Sequence, residues 1–149
     1  MARSIGMALP ISFKQSVEIC NFIEKKNIND AKKMLQNVVE KKSAIPFKRY
    51  NWDLGHKTKI GPARYPEKTS KEFIKLIDDV EANAQFKGLN TSNLIIAHVS
   101  AHKAGKAWHY GRKSRRKMKR TNVEIVVEEK ADKVKSKEIK QKQEKVKKE

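Results

Sequence analysis

Apolar residues recur at helical spacing through the first part of the chain. Phe13, Val17, Cys20 and Ile23 stand four, three and three residues apart between Ser12 and Lys25, which forms one stripe of an amphipathic helix. Asn27 and Asn29 interrupt it. A second helix then opens with Asn29 or Asp30 as N-cap, buries Ala31, Leu35 and Val38, and ends near Lys41-Lys42-Ser43. A short polar side chain at the cap takes up an amide that the first turn leaves unpaired. Thr69 and Glu72 match a capping box, in which hydroxyl and carboxylate each satisfy a backbone donor of the other. The helix they open carries Phe73, Ile77, Val80 and Ala84 on one face. It stops at Gly88, a residue suited to the left-handed position just past a helix.

Beyond Gly88 the period shortens to two. Between Asn93 and His102, alternation puts Leu94, Ile96 and His98 on one side and Ile95, Ala97 and Val99 on the other. Between Thr121 and Glu129 it puts Val123, Ile125 and Val127 one way, and Asn122, Glu124 and Val126 the other. The segment joining these runs, 103–120, has nine cations and no acid, with His109-Tyr110-Gly111-Arg112 at its midpoint. Two β runs joined in this way predict one long hairpin whose outer half leaves the domain. From Asn93 to Gly111, at about 3.3 Å per residue, such an arm reaches at most on the order of 60 Å. A domain of this size has a radius of gyration of roughly 15 Å, so the tip projects clear of the core.

Residues 44–68 follow neither period. Pro46, Gly55, Gly61, Pro62 and Pro66 punctuate them, while Lys48, Arg49, His56, Lys57, Lys59 and Arg64 alternate with Tyr50, Trp52 and Tyr65. Structureless loops this long are uncommon inside compact domains and are usually functional or disordered. The aromatic content argues against a mere linker. Residues 130–149 are Lys with scattered Glu, Gln and Val and have no apolar stripe, so they are expected to stay disordered until a partner binds, or to be helical when bound. The expected organisation is one domain over 1–129, with the hairpin at about 93–129, followed by the Lys-rich tail. Its fold class is α+β, with three helices on a small antiparallel sheet and a long protruding basic hairpin.

Charge narrows the function. The 149 residues hold 35 Lys and Arg against 17 acids, for a formal net charge of +18. A chain so charged repels itself unless a polyanion neutralises it, and nucleic acid is the usual polyanion, ahead of an anionic membrane. The single cysteine, Cys20, excludes an intramolecular disulfide and a cysteine-rich metal framework. No apolar run approaches the roughly 20 residues needed to span a bilayer, and Met1 to Pro10 is too weakly patterned for a secretory signal. The expected location is the cytoplasm, with no membrane partner.

The candidate binding residues lie in two places. On the hairpin they are Lys103, Lys106, Arg112, Lys113, Arg115, Arg116, Lys117, Lys119 and Arg120, interleaved with Trp108, His109 and Tyr110. Arg grips phosphate with a bidentate fork and Lys as a point charge. The aromatics can stack on unpaired bases, at roughly 1–3 kcal/mol each in single-strand binders. The second set is Lys48, Arg49, Tyr50, His56, Lys57 and Arg64 in the 44–68 segment. Around Arg49-Tyr50-Asn51-Trp52, the alternative is a capping loop that tucks its aromatics onto the helices, and both readings stay open. Catalytic or metal constellations do not assemble. His98 and His102 have no further ligand nearby except His109, too few for a metal site, and the adjacent Asp78 and Asp79 diverge on a helix as a solvated face. Cys20 falls in an apolar stripe as a packed thiol. No enzyme activity, cofactor or metal is expected.

Three strings carry a family resemblance: Ile45-Pro46-Phe47-Lys48-Arg49-Tyr50-Asn51, Ala82-Asn83-Ala84-Gln85-Phe86-Lys87-Gly88-Leu89, and Asn122-Val123-Glu124-Ile125-Val126-Val127-Glu128-Glu129. With the order of elements, they resemble the universal large-subunit ribosomal protein family number twenty-two, in its archaeal and eukaryotic form, over about residues 8–129. The Lys-rich content favours an archaeal source. The resemblance implies three helices against an antiparallel sheet, seated near the mouth of the peptide exit tunnel. The hairpin would thread through ribosomal RNA with its tip, Lys106 to Arg116, on the tunnel wall. It further implies a structural role in assembly without catalysis, contacts with neighbouring ribosomal proteins, and the nascent peptide close to the tip. The tip departs from the family's Pro-Arg-Ala-x-Gly-Arg type string: His109-Tyr110-Gly111-Arg112-Lys113-Ser114-Arg115-Arg116 has no Pro, and the hairpin is a few residues short. The alternative function is a basic DNA-binding or chromatin protein using the same arm, although no helix concentrates base-reading residues. An RNA-modifying enzyme with a basic arm is a more distant alternative.

Overall fold

The computed structural model describes residues 1–130, so the expectation for the Lys-rich tail lies outside the described residues from 131 onward. Its main sheet runs β1-β6-β5, with both pairings antiparallel, from strands β1 (Ala2–Leu9), β5 (Leu94–Lys103) and β6 (Thr121–Glu129). Helices α1 (Phe13–Ile23), α2 (Ile28–Val39) and α3 (Glu67–Phe86) supply most of the rest of the core, with Ile11, Ile45 and Phe47. The α+β class and the three helices match the expectation.

The central strand β6 follows the predicted alternation, with Thr121, Val123, Ile125 and Val127 buried and the residues between them half-buried. β5 departs from it. A bulge between Ile96 and His98 slips the register by one residue, so Val99, not His98, joins Leu94 and Ile96 on the buried side. An inserted residue sends every later side chain to the opposite face.

β1 is a strand that the hydrophobic pattern did not predict, because its pattern is inverted. Small residues, Ala2 and Gly6, face inward, while Ile5 and Met7 face out. A Cβ at Gly6 would stand 2.8 Å from Leu9 Cδ1 and 3.0 Å from Leu76 Cδ2, so glycine is what lets α3 lie this close to the strand. Both sheet edges are covered in part. The α1–α2 link donates Lys25 N–H to the Ile96 carbonyl (3.0 Å) and accepts Ile96 N–H at Lys26 (2.9 Å). On β1, Asn83 Nδ2 and Lys87 Nζ donate to the carbonyls of Arg3 and Met1 at 3.0 and 3.2 Å. Such cover occupies part of each edge, which shortens the free strand edge that could template association.

The helices require three corrections. In α1 the buried face is Ser16, Ile19, Cys20 and Ile23, with Phe13 and Val17 only half-buried, so the helix is rotated from the predicted stripe. α2 is capped by Asn27, whose Oδ1 accepts Asn29 N–H at 3.0 Å, rather than by Asn29 or Asp30. Ala31, Leu35 and Val38 are buried as predicted, together with Ile28. α3 starts at Glu67 behind Pro66, so Thr69 and Glu72 lie inside the helix and form no capping box. Thr69 is buried instead and donates its hydroxyl to Gln15 Oε1 at 2.9 Å. The far end agrees with expectation: Gly88 has φ +69°, and Leu89 N–H to Ala84 O (3.0 Å) with Gly88 N–H to Gln85 O (2.9 Å) closes the last turn.

Residues 44–68 are not structureless. They fold as a second sheet ordered β2-β4-β3, from β2 (Ile45–Pro46), β3 (His56–Lys57) and β4 (Gly61–Arg64), anchored by buried Ile45, Phe47 and Ala63. Asp78 is not simply solvated: Lys32 Nζ from α2 lies 2.7 Å from its Oδ1 and also pairs with Glu81. Partial desolvation opposes the charge on Lys32, but hydrogen bonds to Asp78 and Glu81 outweigh it and raise the lysine above its ordinary value.

Cys20 is a packed thiol, as predicted, and burial pushes it up to about 12. The unfolded thiol ionises near 9.0 while the folded one holds its proton to about 12. This group therefore costs the fold stability as pH rises through that window. In native protein at pH 8, Cys20 is expected to resist a chromogenic disulfide reagent and to react only along the urea unfolding transition. Rapid labelling before the transition would contradict its place in the core.

Candidate nucleic-acid interface

The arm grows directly out of the main sheet. Past the Lys103–Thr121 pair, Ala104 N–H donates to Arg120 O (3.2 Å), Met118 N–H to Ala107 O (2.8 Å) and His109 N–H to Arg116 O (2.8 Å), and Trp108 bridges Lys117. The antiparallel track thus continues outward with gaps. It closes in a short 3-10 turn at Gly111–Lys113, where Gly111 takes φ +62°. That is a left-handed position, which glycine occupies without strain.

All nine cations of the predicted hairpin set lie on this track. Arg120 is half-buried and the other eight are exposed. Among the described residues the ion pairs are Lys32–Asp78, Lys32–Glu81, Lys41–Glu67, Lys42–Glu40 and Lys75–Glu72, and none uses a cation of 103–120. Tyr110 is 87 % exposed and Trp108 59 % exposed, with Lys117 Nζ 4.6 Å from the Trp108 ring centroid. His109 is half-buried beside them.

At its base the arm meets the second predicted set through a residue the sequence had assigned to the core. Phe13 receives Lys103 Nζ at 5.5 Å on its ring and meets the Tyr50 ring edge-on at 6.4 Å. Arg49 and Lys14 each stand 5.6 Å from the Tyr50 centroid. These separations fit cation–π contacts. Beside them a cleft of about 390 Å³ is lined by Phe13, Lys14, Lys103, Lys106, Lys119 and Arg120. The readings left open for this loop divide between its aromatics, with Tyr50 packed against Phe13 and Trp52 exposed.

One buried acid sets the loop's position. Glu18 on α1 is 1 % exposed, and its carboxylate accepts the backbone N–H groups of Lys48 (3.0 Å), Arg49 (2.9 Å) and Tyr50 (2.8 Å). Three amides converging on one carboxylate turn the side chains of Lys48 and Arg49 to solvent, where both are exposed. His56, Lys57 and Arg64 are exposed on the second sheet, with Lys57 Nζ 5.6 Å from the Tyr65 ring. Among the described residues no hydrogen bond or ring contact joins those three to the arm. Sequence reasoning missed Phe13, Lys14 and Glu18. The available signal for Glu18 was a lone acid beside the apolar run Ile19-Cys20.

Replacing Glu18 with Ala removes three charge-assisted hydrogen bonds, and the expected loss is about 3 kcal/mol of stability. For a domain of this length that lowers Tm by roughly 6–12 °C, with faster hydrogen exchange at the amides of Lys48, Arg49 and Tyr50. A shift within about 1 °C would mean that the carboxylate does not anchor the loop.

The family model described as "Ribosomal protein L22p/L17e" matches residues 4–128. A protein of Archaeoglobus fulgidus named "Large ribosomal subunit protein uL22" is 42% identical over 135 residues, covering 85% of this chain and 87% of its own length. A protein of the same name from Methanoregula boonei is 40% identical over 138 residues, covering 87% of this chain and 90% of its own. One from Thermofilum pendens is 45% identical over 101 residues, covering 67% of each. The chain belongs to the L22p/L17e family of ribosomal proteins.

Proposed function

We propose that this chain is a structural, non-catalytic constituent of the large ribosomal subunit, working in the cytoplasm, that binds ribosomal RNA through its arm and the surface at the arm's base. The observation that carries the reading is the run of nine cations over 103–120, free of ion pairs among the described residues and joined through Phe13 to Tyr50 and Arg49. The segment has almost no large aliphatic side chains with which to fold alone, so structured RNA supplies its counter-charge. Counterion release then drives much of the affinity. RNA shape and splayed bases set specificity, since Trp108 and Tyr110 offer ring faces rather than groove-reading helices.

In this reading the tip, Lys106 to Arg116, lines the nascent-peptide exit tunnel and meets the growing peptide. The body touches neighbouring ribosomal proteins, and the whole supports assembly. Lys48, Arg49, His56, Lys57 and Arg64 form a second RNA contact on the body. The DNA-binding alternative uses the same cations and predicts a preference for duplex DNA.

The test replaces residues 104–120 with an Asn-Gly turn, which closes the Lys103–Thr121 pair as a two-residue hairpin. The variant is expected to keep the circular dichroism of the folded domain. Its binding to large-subunit ribosomal RNA should weaken by more than about tenfold, with a shallower salt dependence. Undiminished binding, or tighter binding to duplex DNA by the full chain, would overturn the proposal.

A further inference from the structure

In a chain of net charge +18, the face of the main sheet opposite the helices has a different character. Register sets its outward residues in rows: Arg3–Val126–His98, then Ile5–Glu124–Ser100, with Glu128 beside Ile95. Because β6 is the central strand, Glu124 and Glu128 stand in the middle column and are half-buried by their neighbours. Among the described residues neither carboxylate has an ion-pair or hydrogen-bond partner. The Ser100 hydroxyl, opposite Glu124, is buried without a hydrogen-bond partner among the described residues. Along the β1 side, Ile5 is 50 % and Met7 77 % exposed.

These features select one kind of occupant. Two half-buried glutamates without an ion-pair partner among the described residues attract a basic side chain through charge complementarity, and a buried hydroxyl calls for a partner of its own. Phosphate would be repelled by Glu124 and Glu128 and has nothing to offer Ile5 and Met7. A peptide segment bearing Lys or Arg next to apolar residues satisfies all three demands.

We propose that the open face of β1-β6-β5 docks a cationic, partly apolar segment of another ribosomal protein, whose basic side chains pair with Glu124 and Glu128 while its apolar ones cover Ile5 and Met7. The inference rests on the reading of the chain as a large-subunit component. It gives the molecule two chemically opposite contacts, the arm for RNA and the sheet face for protein.

A water-soluble carbodiimide tests it in purified large subunits, because it joins a carboxylate to an amine only when the two are in contact. Trypsin releases residues 121–130, which contain both carboxylates, as one peptide, and fragment spectra locate the bond. The expected product is an amide between Glu124 or Glu128 and a lysine of another ribosomal protein. It should vanish in the Glu124→Gln/Glu128→Gln double variant while that variant still sediments with the subunit. No such bond in subunits that contain the chain would overturn the docking proposal alone. A bond only to a lysine between 131 and 149 of the same chain would also overturn it, in favour of an intramolecular cover. Absence of the chain from the subunits would contradict the functional reading itself, and this proposal with it.

Discussion

The pairing of β5 with β6 holds both halves of the molecule together. Over Leu94 to Lys103 and Thr121 to Glu129 the two strands supply much of the buried core, with Leu94, Ile96, Val99, Val123, Ile125 and Val127 on one face. Over 104–120 the same two segments leave the domain as a cationic track with no apolar face. Nothing in that outer part resists fraying on its own, since an isolated two-stranded ribbon is marginal in water. Its register comes from the core, where a one-residue slip would expose every buried valine and isoleucine. The bulge at Ile96–His98 shifts the outward set of β5 within this ladder.

A second constraint works against the chain's overall charge. Glu18 is a buried acid in a basic protein, and it is stabilised by three amides rather than by a cation. Its carboxylate holds the Lys48–Tyr50 backbone against α1, and Tyr50 then meets Phe13, which meets Lys103 at the root of the arm. The basic loop and the arm thereby form one surface, although they are far apart in sequence. Acids elsewhere are placed differently: Asp78 and Glu81 pair with Lys32 between helices, while Glu124 and Glu128 mark the outer sheet face without an ion-pair partner among the described residues.

Much of this was legible in the residues, and the failures have physical causes. The buried faces of α2, α3 and β6 were readable because period and burial coincide along each. β1 was unreadable because close packing against α3 demands small residues inward, leaving Ile5 and Met7 outside. The bulge in β5 broke an alternation that sequence alone continued through His98. Thr69 and Glu72 fit a capping pattern, but Pro66 starts the helix earlier and Gln15 claims the Thr69 hydroxyl. The cations of the site were visible as a charge run. Phe13 was assigned to the core and Glu18 went unseen, because both act through tertiary contacts that no local pattern encodes.

On the proposed function, the chain is held in the large subunit by an arm threaded through RNA, rather than adsorbed to it by charge. Sedimentation of a cell lysate through a high-salt sucrose gradient separates the two, because salt strips purely electrostatic contacts first. Stoichiometric co-migration with the large subunit after the salt wash is the expected result. Protein left at the top of the gradient, or recovered with the nucleoid, would contradict it.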